Sequence, residues 1–380
     1  MSLIYKIEPR EEYLIGNPIV IALSTISQTA INCEVKIAGS VIYESIYLPV
    51  GTDLYDAFIS LADVIEPYFL ESEISDPDQI VSELLNFKLP VEVTFTQEES
   101  TLTHSFDVYK GGITKKSFRL LDENGYDIFT FRLKNYFSQF LFTTRTNKKG
   151  ICIRETELAP FAFIHPGSTI DFISDTGTTI SSAAKAAGTV CVMDIAKIFS
   201  QMPEDTKRIN VAPGGEYAFH FNIYPGQLSD EKYMIRFKNS MGYFELIEVV
   251  GKAMYDPEFL EESSYNTITE YDFYEERRKR TETRNYIDVE TGYKNRDELP
   301  FILDMIKSDE IYFIHPDGIS FRCYVTTDQA QFRNRMVEPT SFNLRIREVA
   351  DEELSTPEIT MEELMADAGI FDETFSEEFN

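Results

Sequence analysis

The sequence predicts a mainly β protein, built as two or three β-sandwich or barrel-like domains with a few short helices and an extended acidic C-terminal tail. Three features predict it. Apolar and polar residues alternate with period 2 through most of the chain, as in half-buried strands. Phe and Tyr (29 and 21, with no Trp) favour a pleated surface. Turn signals recur between the alternating runs.

Asn17–Ser24 (NPIVIALS), Ala30–Ala38 (AINCEVKIA) and Val41–Leu48 (VIYESIYL) read as three successive strands. Val91–Gln97 and Leu102–Tyr109 read as a hairpin across EES. In SFRLLDENGYDIFTFRL, Asn124-Gly125 has the composition of a type I′ turn and predicts a second hairpin. YMIRFKNSMGYFELIEVVGKAMY (Tyr233–Tyr255) predicts a third, turning at Asn239–Gly242. Helix is expected over Leu54–Phe69, Val192–Phe199 and Glu298–Ile306, with a short one near the C-terminus. There Thr360 and Glu363 fit a capping box and Gly369 a stop. A weak likeness between two blocks suggests β-rich domains at 1–112 and 113–255. A polar arm and a smaller β or α+β region follow at 256–349, and the acidic tail at 350–380.

The net charge is −29, and it is unevenly spread. Residues 1–100 carry 17 acids against 4 bases, and residues 350–380 carry 11 acids and no base. This balance argues against a nucleic-acid partner, because no basic stripe releases phosphate counterions. The one dense basic run, Arg277-Arg278-Lys279-Arg280, lies among acids and reads as a solvated mixed-charge face. No apolar run approaches a membrane span. The start MSLIYKIEPREEY lacks the basic and apolar regions of a secretory leader. Cys33, Cys152, Cys191 and Cys323 form no CxxC, and read as buried thiols of a reducing compartment.

Two of the four histidines share one motif, FIHPG at Phe163–Gly167 and FIHPDG at Phe313–Gly318. Pro166-Gly167 and Pro316-Asp317-Gly318 fit tight turns, with His165 and His315 at the first position. A metal site needs further ligands, and His104 and His220 stand alone in strands. The motif therefore reads as one turn used twice. GxSxG is absent, GTTISSAAKAAG lacks P-loop spacing, and DENGYD puts Asp127 where a calcium loop needs Gly. No catalytic, cofactor-binding or metal residue is assigned, and no cofactor is expected.

Three stretches carry a resemblance: GNPIVIAL with CEVKIAGSVIYESIYLP and LADVI; YMIRFKNSMGYFELIEVVGKA; and SDEIYFIHPDGISFRCYVTTD with EPTSFNLRIREV. Together they resemble structural proteins of tailed phages and prophages of Bacteroidales bacteria. The resemblance implies a non-enzymatic virion component of a tail, baseplate or neck. Its partners would be copies of itself in a symmetric ring and other virion proteins. It would reside in the virion, and in host cytoplasm during assembly. Two alternatives stay open: a module that binds a glycan or a cell-surface protein, and a carbohydrate-active enzyme on a β scaffold. In the acidic tail, Met361, Leu364, Met365, Ile370, Phe371 and Phe375 are expected to anchor on a neighbouring subunit while the acids steer toward a basic groove.

Overall fold

The computed structural model describes residues 3–136, 140–145, 150–226, 232–256, 258–268, 273–294, 296–327 and 341–349. The first sandwich packs two sheets face to face. One contains Ile4–Tyr5, Val20–Thr25, Tyr55–Ser60 and Val50–Gly51. The other contains Glu12–Leu14, Ser100–Tyr109, Lys88–Gln97, Ile31–Ile37 and Ser40–Tyr47, each in spatial order. Strict alternation sets the faces: Ile31, Cys33 and Val35 turn inward and meet Val91, Val93 and Phe95 of the neighbouring strand. Buried Gln97 closes one end, accepting from the Thr25 hydroxyl at 2.6 Å and donating to the Thr29 carbonyl at 2.8 Å.

In the second sandwich, one sheet runs Ile151–Arg154, Phe219–Tyr224, Arg208–Pro213, Ile170–Ser174 and Thr179–Ser181. The other runs Pro160–Ile164, Val190–Asp194, Val81–Leu85 and Glu73–Ile74. Two of these strands thus come from within 1–112 and pair beyond that expected limit, with Val81 opposite Met193. PFAFI and VCVMD are near-continuous apolar runs because both faces of their sheet are covered. Phe161, Phe163, Cys191 and Met193 point into the sandwich core. Ala162, Ile164, Val190 and Val192 point the other way, into a junction core shared with Leu14, Phe87, Tyr109, Phe129, Leu133, Phe142 and Met241.

The third body is a closed antiparallel barrel of Tyr233–Lys238, Phe244–Tyr255, Tyr286–Glu290, Asn343–Glu348, Ser320–Thr326 and Ile311–Ile314. It straddles the expected limit at 255. Six strands enclose a bore that side chains fill: Ile235, Phe237, Ile247, Phe313 and Ile346 are fully buried in it. Helix Leu299–Lys307, with Pro300 in its first turn, adds Phe301, Ile302 and Met305 to that core. Between its second and third strands the barrel emits a ribbon, Glu258–Ile268 against Phe273–Arg284. Among the described residues these two strands pair with each other and with no other strand.

The fold is mainly β, as expected, with 46% strand and 15% helix. The hairpin at Asn239–Gly242 is present, and so is the one between Lys88–Gln97 and Ser100–Tyr109. The hairpin expected at Asn124-Gly125 is not. Lys115–Glu123 is a helix whose N-terminus is capped by the Thr114 hydroxyl, and Gly125 (φ +72°) ends it. A positive-φ Gly serves a helix C-terminus as readily as a hairpin. Downstream, Phe129 and Leu133 lie four apart on one face of a π-helical turn and enter the junction core. The helix expected over Leu54–Phe69 is strand Tyr55–Ser60 followed by one turn, Ala62–Ile65. That over Val192–Phe199 begins only at Ile195, after Asp194 caps it from the end of a strand.

One contact tightens the junction. Gly111 and Gly112, at the end of the first sandwich, lie directly on the Ser240–Gly242 turn of the barrel, with the Gly112 N–H donating to the Ser240 carbonyl at 2.7 Å. A Cβ on Gly111 would stand 2.2 Å from the Met241 carbonyl carbon, and its φ is +87°. Gly111→Ala combines backbone strain with a backbone clash and is expected to cost about 3 kcal/mol. The check is urea unfolding beside Gly39→Ala: Gly39 shares the positive φ (+80°) with nothing within 4 Å of its Cβ position. The Gly111 variant should lose clearly more.

Candidate functional site

Around the junction core, charged side chains are buried where the second sandwich meets the barrel. Strand Ile151–Arg154 and the 3-10 turn Glu155–Glu157 present Arg154 and Glu157. Barrel strand Phe244–Tyr255 presents Glu245 and Glu248, and Lys294 follows the third barrel strand. Arg145 links them. Its Nε donates to Glu245 at 3.1 Å, Nη1 to Glu157 at 3.3 Å and to the Cys152 carbonyl at 3.0 Å, and Nη2 to the Leu246 carbonyl at 2.7 Å. Its guanidinium carbon sits 3.9 Å from the Phe301 ring centre.

Glu157 also holds Lys294 at 3.3 Å and accepts the Glu248 N–H at 3.0 Å. Glu248 accepts from the Thr156 hydroxyl and faces Arg154 at 3.7 Å. Glu245 accepts from Asn239 at 2.6 Å and Thr143 at 2.7 Å. Three cations thus face three buried carboxylates, and Lys294 also lies 3.9 Å from the partly exposed Glu298. Burial pushes the Glu157 carboxyl up, but Lys294, Arg145, the Glu248 N–H and Arg154 outweigh it and hold it below its ordinary value. At Glu245 burial prevails over Arg145, Thr143 and Asn239, and the carboxyl is raised.

Beside this network opens a cleft of about 520 Å³, lined by Cys152, Arg154, Tyr224, Glu290, Tyr293 and Glu298 among others. Tyr293 is 76% exposed and Tyr224 48%. The Cys152 thiol lies 3.9 Å from the Tyr224 hydroxyl, and burial pushes its pKa up, which keeps it a thiol. The volume suits a small ligand. Aromatic faces beside carboxylates can stack on and hydrogen-bond to a polar ring.

His165 and His315 lie in tight turns after strands. Gly167 (φ +89°) donates to His165 Nδ1 at 3.1 Å, and the Gly318 N–H donates to the His315 carbonyl at 3.0 Å. Among the described residues no group of three or more His, Cys, Asp or Glu could hold a metal ion, and no helix is long and apolar enough to cross a membrane. The tail anchors Met361, Leu364, Met365, Ile370, Phe371 and Phe375, and the helix expected at Thr360–Gly369, lie outside the described residues. Sequence reasoning missed Arg145, Arg154, Glu157, Glu245, Glu248 and Lys294. The available signal was FELIEVV, where two acids interrupt an otherwise apolar strand.

No known family matches this chain, and no curated protein does. Among solved structures it is similar to a chimeric titin Z1Z2-Z1Z2 tandem carrying a GRGDS peptide from fibronectin. The identity is 12%, covering 60% of this chain and 97% of that one, with a TM-score of 0.15. It is also similar to a structure from a 1.5-MDa bacterial ice-binding adhesin, at 7% identity over 74% and 88% of the two chains, with a TM-score of 0.14. Scores this low carry no argument about function.

Arg145→Met leaves Glu245 and Glu157 buried with less compensation and is expected to cost about 3–5 kcal/mol in urea unfolding. A loss under about 1 kcal/mol, typical of an exposed pair, would contradict the network's role. Glu157, with its depressed folded pKa, contributes stability above the ordinary 4.5 that is lost as pH falls through the folded value. Glu245, with its raised folded pKa, acts oppositely. Between pH 4.5 and 3, Glu157→Gln should therefore lose less stability than the wild type.

Proposed function

We propose that this chain is a non-enzymatic structural subunit of a tailed-phage virion, in the tail, baseplate or neck, working through contacts with copies of itself and other virion proteins. One observation carries the reading: the ribbon Glu258–Ile268/Phe273–Arg284 pairs with no other strand among the described residues, while the barrel that emits it closes without it. At about 3.4 Å per residue it extends roughly 40 Å, and an isolated two-stranded hairpin is marginal in water. Both of its edges are templates for another chain. The resemblance to Bacteroidales phage structural proteins supports the same reading, and the apolar tail residues would add a second docking element.

The cleft with Tyr224 and Tyr293 favours one alternative, recognition of a glycan. Gradient-purified particles from a phage or induced prophage encoding the chain distinguish the two by quantitative mass spectrometry. The structural reading expects a fixed multiple of copies per particle, and impaired assembly when residues 351–380 are deleted. Absence from the particles would overturn it.

A further inference from the structure

We infer that the cleft between the second sandwich and the barrel binds a short neutral saccharide, with one sugar ring stacked on Tyr293. This rests on the glycan reading of that cleft and names the sugar class it takes; a structural subunit can carry such a site.

The two walls come from different bodies. Cys152 and Arg154 lie on the outward face of an edge strand, whose period of 2 sends Ile151 and Ile153 into the core. Arg154 is in register with Tyr224 on the neighbouring strand, and both line the cleft. The barrel side supplies Glu290, Tyr293, Glu298 and Ser341. Tyr293 is 76% exposed, yet its loop is pinned on both sides. Before it, the Thr291 N–H donates to the Phe342 carbonyl at 2.9 Å, and the Thr291 hydroxyl accepts the Phe342 N–H at 3.0 Å. After it, buried Lys294 pairs with Glu157 at 3.3 Å. A large aromatic side chain held in water between two buried anchors is a preorganised platform. Little backbone entropy remains to be lost when a ring stacks on it.

The polar lining selects the ligand. Glu157, Glu290 and Glu298 line the cleft against one cation, Arg154, which already faces Glu248 at 3.7 Å. An anionic sugar meets like charge there. A cationic ligand gains little from Glu157, whose carboxylate already takes Arg145, Lys294 and the Glu248 N–H. An ammonium only donates, so it would satisfy neither Arg154 nor the tyrosine hydroxyls as donors. A sugar hydroxyl both donates and accepts. Glu290 can accept from it, since one carboxylate oxygen takes the Ser341 hydroxyl at 2.8 Å and the second is available to a ligand. Arg154 and the tyrosine hydroxyls can donate to it. The apolar C–H face of a pyranose then covers the Tyr293 ring. The volume of about 520 Å³ falls within the range of small-molecule sites.

Isothermal titration calorimetry on the full purified chain uses three sets of probes: neutral trisaccharides of hexose and N-acetylhexosamine, their sialylated counterparts, and choline. A neutral trisaccharide should bind. Tyr293→Ala should weaken it about tenfold. Tyr293→Phe keeps the ring, and Tyr126→Ala removes a tyrosine that is 54% exposed elsewhere; both should bind within about threefold of the wild type. Thermal unfolding confirms that each variant folds. Choline bound as tightly as the sugar, or unchanged binding in Tyr293→Ala, would overturn the site. Sialylated probes bound in place of neutral ones would overturn the neutral class and leave the glycan reading, whereas silence from every saccharide would overturn both. The structural-subunit reading is judged separately, by the copy number in purified particles.

Discussion

Burying Arg145 against Glu157 and Glu245 is the constraint on which the seating of the barrel on the second sandwich depends. Each ion taken out of water costs several kcal/mol, offset only when geometry and hydrogen bonding are both complete. Completion here needs groups from the second sandwich, from the segment before it and from the barrel: Arg154 and Glu157, then Arg145, then Glu245, Glu248 and Lys294. Sliding the barrel by a few ångströms would strand charges on both sides. The apolar junction core and the contact of Gly111 and Gly112 with the barrel turn apply the same constraint from the first sandwich.

That constraint bears on function through direction. The ribbon grows from two barrel strands, and one of them, Phe244–Tyr255, also carries Glu245 and Glu248. The base of the ribbon is thus fixed to the network that orients the barrel. Under the proposed function, a subunit that joins its neighbours through a long ribbon needs such a mount, since a small rotation at the root becomes a large displacement at the tip. Spending buried charge on specific geometry rather than on stability is consistent with that need.

Much of the fold was legible because strands announce themselves locally. Ile31, Cys33 and Val35 alternate with polar residues, and the turns at Asn239–Gly242, His165 and His315 carry Gly where positive φ is needed. What was not legible depends on partners. Alternation does not say which sheet a strand joins, so Val81–Leu85 in the second sandwich was invisible. Gly125 fits two kinds of chain reversal, and the i,i+4 pair Phe129 and Leu133 decides between them only once the junction core exists to receive it. Arg145 and Lys294 lie 149 positions apart and meet on Glu157, a relation that no local pattern encodes.

Amide hydrogen exchange on the free chain and on the assembled particle tests the central claim most directly, because it reads the junction and the ribbon in one experiment. The account predicts that amides at Lys110–Gly112 and Asn239–Gly242 are protected equally in both states. Those of Glu258–Ile268 and Phe273–Arg284 should gain protection on assembly. Ribbon amides already as protected in the free chain as in the particle, or unchanged by assembly, would contradict it.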